Sequence, residues 1–244
     1  MLEGLYSAAA GLMAQQERMN AVANDIANVN TAGYKHVRVA FRDLAYQAPS
    51  QGAAQGVQTG SGSAAWVMGR YFGQGALRRT DNPLDVGIEG SGFFRVRTAD
   101  GQEALTRDGA FHLNANGELI TATGLRLVPP VRLPAGTQPE EVTIGRDGQI
   151  TSTGGRVLGR IQLVEVPAPD GLIAAGDNLY LPSAASGAVR NADGALVQGT
   201  LEQSNVDMAD AMVDMMDAQK SFALASTAVR MQDQAMEIAN GLKR

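Results

Sequence analysis

Residues 204–244, SNVDMADAMVDMMDAQKSFALASTAVRMQDQAMEIANGLKR, decide the fold of this chain. Large apolar residues recur every seven positions in this stretch, and alanine stands three residues after most of them. Such spacing puts both sets on one narrow face of a helix, as in a close-packed coiled coil. The seam consists of Met208, Met215, Phe222, Val229 and Met236, with Ala211, Ala218, Ala225 and Ala239.

The same stretch carries the start and stop signals of one uninterrupted helix. Asn205 or Asp207 is suited to cap the N-terminus, and further aspartates load the first turns with negative charge. Lys243 and Arg244 stand at the other end, where the helix macrodipole favours cations. Neither Pro nor Gly interrupts the run before Gly241. The sequence therefore predicts a helix of about 35 residues, against a typical length of ~11–12.

The N-terminus repeats this pattern. Large apolar residues again stand seven apart, and small or branched residues follow three positions later, with Gln15 as the polar exception. A helix is predicted from Glu3 to Asn30, ending in residues 30–33, where Gly33 can adopt the left-handed conformation of a helix C-terminus. The stripe consists of Leu5, Leu12, Met19 and Ile26, with Ala8, Val22 and Val29.

Two long helices with narrow seams thus stand at opposite ends of the chain. A chain that leaves along one and returns along the other lays them side by side, which predicts an antiparallel, coiled-coil-like pair. Packing of both helices against the middle of their own chain is the alternative. Because the seams are narrow, long and terminal, we favour association between helices, within or between subunits.

Composition narrows the class of protein. The chain has 244 residues, of which 44% are hydrophobic and 5% aromatic, so it can bury an aliphatic core. A net charge of −5 argues against a nucleic-acid surface. Without cysteine there is neither a disulfide framework nor a thiolate metal site. No apolar run approaches the ~18–20 residues that span a bilayer. The acidic Glu3 argues against a cleaved signal peptide, as does the heptad pattern that continues through the N-terminal apolar residues.

The segment after the first helix is predicted to be extended and then loop-like. Residues 34–47 alternate apolar and polar side chains, and Lys35, Arg38 and Arg42 form a basic stripe. We interpret that stripe as a solvated face, with a salt-dependent contact to an acidic neighbouring subunit as the alternative. Residues 48–65 have the composition of a mobile linker. An apolar patch follows in a loop-like context, and we expect it to pack in the core, with a partner-facing anchor as the alternative: Trp66, Met68, Tyr71 and Phe72.

From residue 77 onward the pattern is one of short strands and tight turns. Turn signals stand at Asp100-Gly101, Asp108-Gly109, Asn116-Gly117 and Asp147-Gly148. The candidate strands are residues 84–88, 93–97, 111–113, 118–121, 142–144, 150–151 and 156–166. The predicted fold class is therefore α+β, with long terminal helices and a central all-β domain. Its parts are an N-terminal helix at 1–33, an extended segment and linker at 34–76, a β-domain at 77–203 and a C-terminal helix at 204–244.

Catalytic and metal-binding patterns are missing from the sequence. His36 and His112 have no neighbouring groups at metal-ligand spacing. Neither a G-x-S-x-G nucleophile elbow nor a phosphate-binding glycine loop occurs. The sequence therefore predicts no enzyme, with no catalytic, cofactor or metal site.

Several stretches together resemble one family, the bacterial flagellar axial proteins of the rod and hook. Residues 23–35, ANDIANVNTAGYK, resemble its N-terminal signature, and 199–208, GTLEQSNVDM, resemble its C-terminal signature. Residues 90–97, GSGFFRVR, with 106–120, TRDGAFHLNANGELI, resemble its central β-domain. The length favours a rod protein over the longer hook protein. Residues 41–47 and 73–94 are most similar to the distal part of the rod, and the proximal part is the alternative.

The resemblance implies a structural subunit that polymerises through its terminal helices into the helical shaft between motor and hook. Implied partners are copies of itself, the proximal rod and hook subunits, the export apparatus, the rod cap and the surrounding periplasmic and outer-membrane rings. It implies type III export without signal cleavage and a place in the rod within the periplasmic space. No nucleic acid, membrane insertion or cofactor is implied. A coiled-coil-stalked adhesin is the alternative from another class.

We expect the helix seams to form the assembly interface, with ordering of the helices coupled to binding. Methionines in the last helix suit slightly unequal contacts, because their side chains are adaptable. A second group forms the helix-end turn: Asn30, Thr31 and Gly33. The predicted interface consists of Leu5, Leu12, Met19, Val22, Asn24, Ile26, Asn28, Met208, Met212, Met215, Phe222, Val229 and Met236.

Overall fold

The computed structural model describes residues 2–45, 60–134, 137–152 and 154–241, with the backbone alone at 2–5 and 239–240. The chain forms two compact units. The helical unit comprises Met1–Ala27, Val37–Met68 and Asp207–Arg244, and the β-rich unit comprises Asn28–His36 and Gly69–Val206. Most of the predicted linker, and the terminal cations Lys243 and Arg244, lie outside the described residues.

Both predicted helices are present in the helical unit. Helix α2 spans Met208–Gly241 over 34 residues, which confirms the prediction. Helix α1 spans Leu2–Ala27 and ends three residues before the predicted Asn30. Thr31 explains the difference, because its N–H and hydroxyl both donate to Asn28, to the backbone oxygen at 3.0 Å and to Oδ1 at 3.1 Å. Such local side-chain bonds favour a turn over another helical turn.

Asp207 is the N-cap of α2. Its Oδ1 accepts hydrogen bonds from the N–H groups of Ala209 at 2.8 Å and Asp210 at 3.2 Å. The Asp207 carbonyl accepts the first helical bond, from Ala211 at 2.9 Å. The carboxylate thus satisfies donors that have no partner inside the helix and lies at the positive end of the helix dipole.

Replacing Asp207 with alanine is expected to destabilise the first turn of α2 by about 1 kcal/mol, because two N–H groups lose their acceptor. Amide exchange measured by NMR or mass spectrometry should accelerate at Ala209 and Asp210. Asp217→Ala serves as the matched control, since it removes the same charge from an exposed position well inside the helix. Equal acceleration in both variants would mean that the capping bonds contribute nothing.

The two helices pack against each other within the helical unit. Arg18 Nη2 donates to Asp214 Oδ1 at 2.6 Å, and Asp214 stands between Ala211 and Ala218, which are both buried. The alanine side of α2 therefore faces α1. Near the end of α1, the buried Asp25 accepts a 3.1 Å bond from the N–H of Val37, which fixes the start of the next element.

Two strands, β1 at Val37–Asp43 and β2 at Ser63–Arg70, form a two-stranded ribbon. Strand β1 confirms the predicted extended segment. Strand β2 corrects the prediction of a loop around Trp66, because small residues such as Ala64 and Ala65 form a strand once a partner strand supplies the backbone bonds. A bond of 3.0 Å from Leu44 N to the Gly62 carbonyl continues the pairing beyond β1.

The strands after the ribbon confirm the predicted central β region. They are β3 Leu77–Arg79, β4 Val86–Glu89, β5 Phe93–Arg97, β6 Glu103–Thr106, β7 Phe111–Leu113, β8 Leu119–Thr121, β9 Arg126–Leu127, β10 Val142–Ile144, β11 Gln149–Ser152, β12 Val157–Arg160, β13 Leu163–Glu165, β14 Ile173–Gly176, β15 Leu179–Leu181, β16 Arg190–Asn191, β17 Ala195–Gln198 and β18 Thr200–Glu202. The largest sheet runs in the order β14-β15-β6-β5-β9-β8-β7, with β13 pairing β5 and β16. Separate pairings are β10-β11-β12, β17-β4 and β18-β3.

Two details of the β prediction are wrong. The single strand predicted over 156–166 is two strands, because β12 pairs with β11 whereas β13 pairs with β5 and β16. Asp108-Gly109 is no hairpin turn, since the strands on either side of it pair with other partners. Gly109 instead lets two backbones meet, because a Cβ there would lie 1.8 Å from the Val86 oxygen.

The core of the β-rich unit is largely aliphatic, as predicted. Val86, Ile88 and Ile150 are fully buried in its main cluster. Of the predicted apolar patch, the partly buried Phe72 packs against a second cluster. Its ring lies edge-on to that of Tyr180, with the two ring centroids 5.1 Å apart. The prediction that the other members of the patch are core residues is wrong, because Trp66, Met68 and Tyr71 are exposed.

Candidate assembly interface

The predicted seam of α2 is the inner side of the helix pair. Ala218 is 0% exposed and Ala211 is also buried, so the small residues form the closest contact. Small side chains let helix backbones approach closely, and larger neighbours then cover the sides of the contact. Met215, Phe222, Val229 and Met236 are half-buried, whereas Met208 and Met212 are exposed.

Most of the predicted residues of α1 are partly buried. Leu12, Met19, Val22 and Ile26 are half-buried, and the side chain of Leu5 is outside the described part. Among the residues of α1 whose side chains the structure describes, the buried ones are Ala14 and Asp25, which the seven-residue stripe missed. Small residues also recur every seven positions, at 7, 14 and 21, and this second repeat indicated the face.

Helix α2 has a second apolar stripe that sequence reasoning missed. Leu224 is 73% exposed, Met231 62% and Ile238 66%. Each stands two residues after a seam position, which is about 200° around a helix of 3.6 residues per turn. This outer stripe, completed by the exposed Val213 and Met216, therefore lies opposite the face that packs on α1. The seven-residue spacing of positions 224, 231 and 238 indicated this stripe in the sequence.

Helix α1 also exposes large apolar side chains. Tyr6 and Met13 stand seven residues apart, and both are exposed. Asn24 is exposed further along the helix. Monomeric proteins seldom expose aligned apolar residues of this size, so the outer faces of both helices are candidate contact surfaces.

The helix-end turn belongs to the β-rich unit. Asn28 and Thr31 are half-buried and bonded to each other, and Asn30 is exposed. Gly33 is buried with φ +69°, as predicted, but it does not cap the helix. Its N–H donates to the Glu202 carbonyl at 2.8 Å, and a Cβ at this position would lie 2.7 Å from the Arg107 carbonyl carbon.

Lys35, Arg107 and Glu202 form a buried ion cluster. Glu202 accepts from Lys35 Nζ at 2.5 Å and from Arg107 Nη1 at 3.1 Å. The side chains of Lys35 and Glu202 are 0% exposed, so the prediction that Lys35 lies on a solvated stripe is wrong. Burial lowers the pKa of Lys35 from its ordinary value, and the charge of Glu202 opposes that shift. The carboxylate thus lies within ion-pair distance of both cations.

Asn205 holds the segments that lead into and out of the β-rich unit. Its Oδ1 accepts from the N–H of His36 at 2.9 Å, and its Nδ2 donates to the carbonyls of Tyr71 at 2.7 Å and Gly73 at 3.0 Å. The sequence offered Asn205 as a helix cap, but the side chain joins three separate stretches of backbone instead. We call this arrangement the exit clamp.

The ribbon of β1 and β2 exposes apolar side chains on both faces. Trp66 is 61% exposed, and Met68 and Val67 are exposed as well. Because successive residues of a strand point to opposite faces, Val67 lies on the face opposite Trp66 and Met68. Phe41 and Arg42 on β1 are also exposed.

Within the described ranges, no three acidic or histidine side chains are grouped so that they could hold a metal ion. Neither described helix is long and apolar enough to cross a membrane.

Three family models match successive parts of the chain. Residues 5–35 match the flagella basal body rod protein family, which covers α1 and the helix-end turn. Residues 87–152 match the D1 domain of the flagellar hook protein FlgE/F/G family, within the β-rich unit. Residues 197–242 match the C-terminal region of the flagellar basal body rod FlgEFG proteins, which covers α2.

Individual relatives are similar over the full length. The chain is 36% identical to the flagellar basal-body rod protein FlgG of Borreliella burgdorferi, with 100% of both chains covered. It is 34% identical to FlgG of Bacillus subtilis, again with 100% of both covered. The flagellar basal-body rod protein FlgF of Caulobacter vibrioides is 31% identical over 98% of this chain and 96% of its own length. The chain belongs to the family of flagellar basal-body rod proteins.

Proposed function

We propose that this chain is a structural subunit of the distal part of the flagellar rod and polymerises through its terminal helices. Three family models and full-length relatives support a rod subunit. The FlgG relatives, at 34–36% identity, favour the distal part that the sequence indicated. FlgF, at 31%, keeps the proximal part as the second candidate.

The outer stripe of α2 is the observation that carries this proposal. One face of the helix is occupied by α1, while Leu224, Met231 and Ile238 on the opposite face stay exposed. Burying each of these side chains in a subunit contact contributes about 1.5–3 kcal/mol to association. Their exposure on the free chain therefore provides a large driving force for binding a neighbouring subunit. Repeated contacts between unlike surfaces generate an open helical polymer, as a rod requires.

The helix pair supplies the building block of this polymer. We propose that α1 and α2 form an antiparallel, coiled-coil-like pair. The ion pair between Arg18 and Asp214 supports it, because Arg18 lies in the second half of α1 and Asp214 near the start of α2. Buried Ala14 and Ala218 give the pair a close-packed inner side. Ordering of the helices is completed when the outer stripe meets a neighbouring subunit.

The proposed role is mechanical and not enzymatic, in keeping with a family of rod and hook proteins. We place the subunit in the basal body, within the periplasmic space, after export without signal cleavage. Its neighbours there are copies of itself, the proximal rod and hook subunits and the rod cap. The export apparatus acts on it before assembly, and the periplasmic and outer-membrane rings surround it afterwards.

Replacing Leu224 with glutamate is expected to abolish rod assembly. Each contact loses the ~1.5–3 kcal/mol of a buried leucine and must desolvate a carboxylate. The measurement is electron microscopy of isolated basal bodies, together with swimming in soft agar. Hydrogen exchange of residues 77–202 should stay unchanged, because Leu224 lies in the helical unit.

Gln219→Glu is the matched control, since it puts the same charge at an exposed position of α2 outside the outer stripe. Normal rods are expected from this variant. Normal rods from Leu224→Glu would contradict assembly through the outer stripe.

A further inference from the structure

The ribbon of β1 and β2 carries an apolar surface that nothing covers among the described residues. Trp66, Val67 and Met68 are exposed in succession, so the apolar surface continues around both faces. Trp and Met are enriched where proteins bind one another, because Trp supplies a large rigid contact area and Met adapts its shape to the partner. Phe41 on the neighbouring strand enlarges this surface.

The same ribbon is positively charged. Strand β1 carries Arg38 and Arg42 against a single acidic residue, Asp43. Arg42 is exposed. A partner for this surface should therefore combine exposed apolar side chains with negative charge, since complementary potentials guide two surfaces into one register.

The first turns of α2 have these properties. Met212, Val213 and Met216 are exposed there. Aspartates at 210, 214 and 217 are exposed between them, and neither Lys nor Arg occurs from residue 207 to 219. Methionine side chains adapt to an aromatic ring placed against them, and sulfur–aromatic contacts are favourable.

We propose that the ribbon of one subunit docks on the acidic, methionine-rich first turns of α2 in a second copy of this chain. Trp66 and Met68 pack against Met212 and Met216, and Arg42 faces Asp217. Both surfaces are exposed on the single chain, so the contact joins two molecules. Two unlike surfaces give a heterologous contact, which propagates instead of closing into a dimer. This inference rests on the proposed function and names the surfaces that it uses.

Thiol cross-linking tests the contact directly, because the chain has no cysteine of its own. One variant carries Trp66→Cys and the other Met212→Cys, and both are produced in the same cells. A short bismaleimide is added to isolated rods, and dimers are read on a denaturing gel. Since each copy has one thiol, a dimer that forms in the mixed rods but not in rods of either variant alone joins position 66 of one molecule to position 212 of another. We expect this dimer to be the main product.

Ile238→Cys with Trp66→Cys is the matched control, because Ile238 is an exposed residue near the other end of α2. Residues 212 and 238 are about 39 Å apart along a helix that rises 1.5 Å per residue. Equal cross-linking at both positions, or none at Met212 in intact rods, overturns the inference. If Trp66→Cys prevents assembly, Met68→Cys takes its place, since Met68 is exposed on the same face of the ribbon as Trp66.

A charge exchange gives an independent readout. Arg42→Glu and Asp217→Lys should each reduce rod yield by about tenfold, as one like-charge contact per junction would. The double variant should recover most of the yield. Lack of recovery overturns the Arg42–Asp217 contact. Absence of any polymer from the unsubstituted chain would instead refute the proposed function itself.

Discussion

Replacing Glu202 with glutamine is expected to destabilise the β-rich unit by about 3–5 kcal/mol. Glutamine has almost the same shape, but it leaves the ammonium of Lys35 and the guanidinium of Arg107 buried without their shared anion. Domains of this kind are stable by only about 5–15 kcal/mol in total, so the loss should be large enough to populate the unfolded state. Hydrogen exchange of residues 77–202 in rising urea, read by mass spectrometry, measures it.

Glu103→Gln is the matched control in the same unit. Glu103 pairs with Arg95 at 3.4 Å and Arg97 at 3.9 Å, but its side chain is 46% exposed. Exposed pairs contribute about 0–1 kcal/mol, because water screens both charges. If the two substitutions had equal effects, the burial of the ion cluster would have no energetic consequence.

Replacing Gly33 with alanine is expected to destabilise the same unit by about 3 kcal/mol, through two separate effects. The backbone has φ +69°, which an L side chain adopts only with strain. The new Cβ would also lie 2.7 Å from the Arg107 carbonyl carbon and 2.8 Å from the Asp108 nitrogen. Relief of that overlap would move the Glu202 carbonyl away from the Gly33 N–H. Urea-dependent exchange of residues 77–202 is again the measurement.

Gly101→Ala separates the two effects. Gly101 has φ +81°, yet nothing lies within 4 Å of the position that its Cβ would occupy. This control should lose only about 1 kcal/mol, from backbone strain alone. A Gly33→Ala variant no less stable than Gly101→Ala would contradict the close approach of the two backbones.

The long elements of the fold were predictable because their signals are local and repeated. Seven-residue spacing identified α2 over nearly its whole length, and turn glycines such as Gly101 and Gly148 marked true hairpins. Strand β2 was missed because small residues, Ser63, Ala64 and Ala65, form its first half. Its pairing with β1 is a contact between separate stretches and cannot be read from the local sequence.

The candidate site was predicted less completely, since its contacts join distant parts of the chain. Lys35 belonged to an apparent basic stripe, but its partner is 167 residues away. Heptad spacing showed which residues of α2 form a stripe and gave no means of deciding whether α1 or another subunit covers it. Exposure decided that question, because Leu224 on the far side is open while Ala218 is not.

The ion cluster also affects the order in which parts of the chain can fold. Any process that delivers the chain from its N-terminus presents Lys35 and Arg107 first, and Glu202 arrives 167 residues after Lys35. Until then both cations are better solvated by water than buried, because burying an unpaired charge is strongly unfavourable. Contacts between such distant residues also form slowly. The ion cluster therefore cannot form until Glu202 has emerged, and for that interval a chain without this cluster remains easier to thread through a narrow opening.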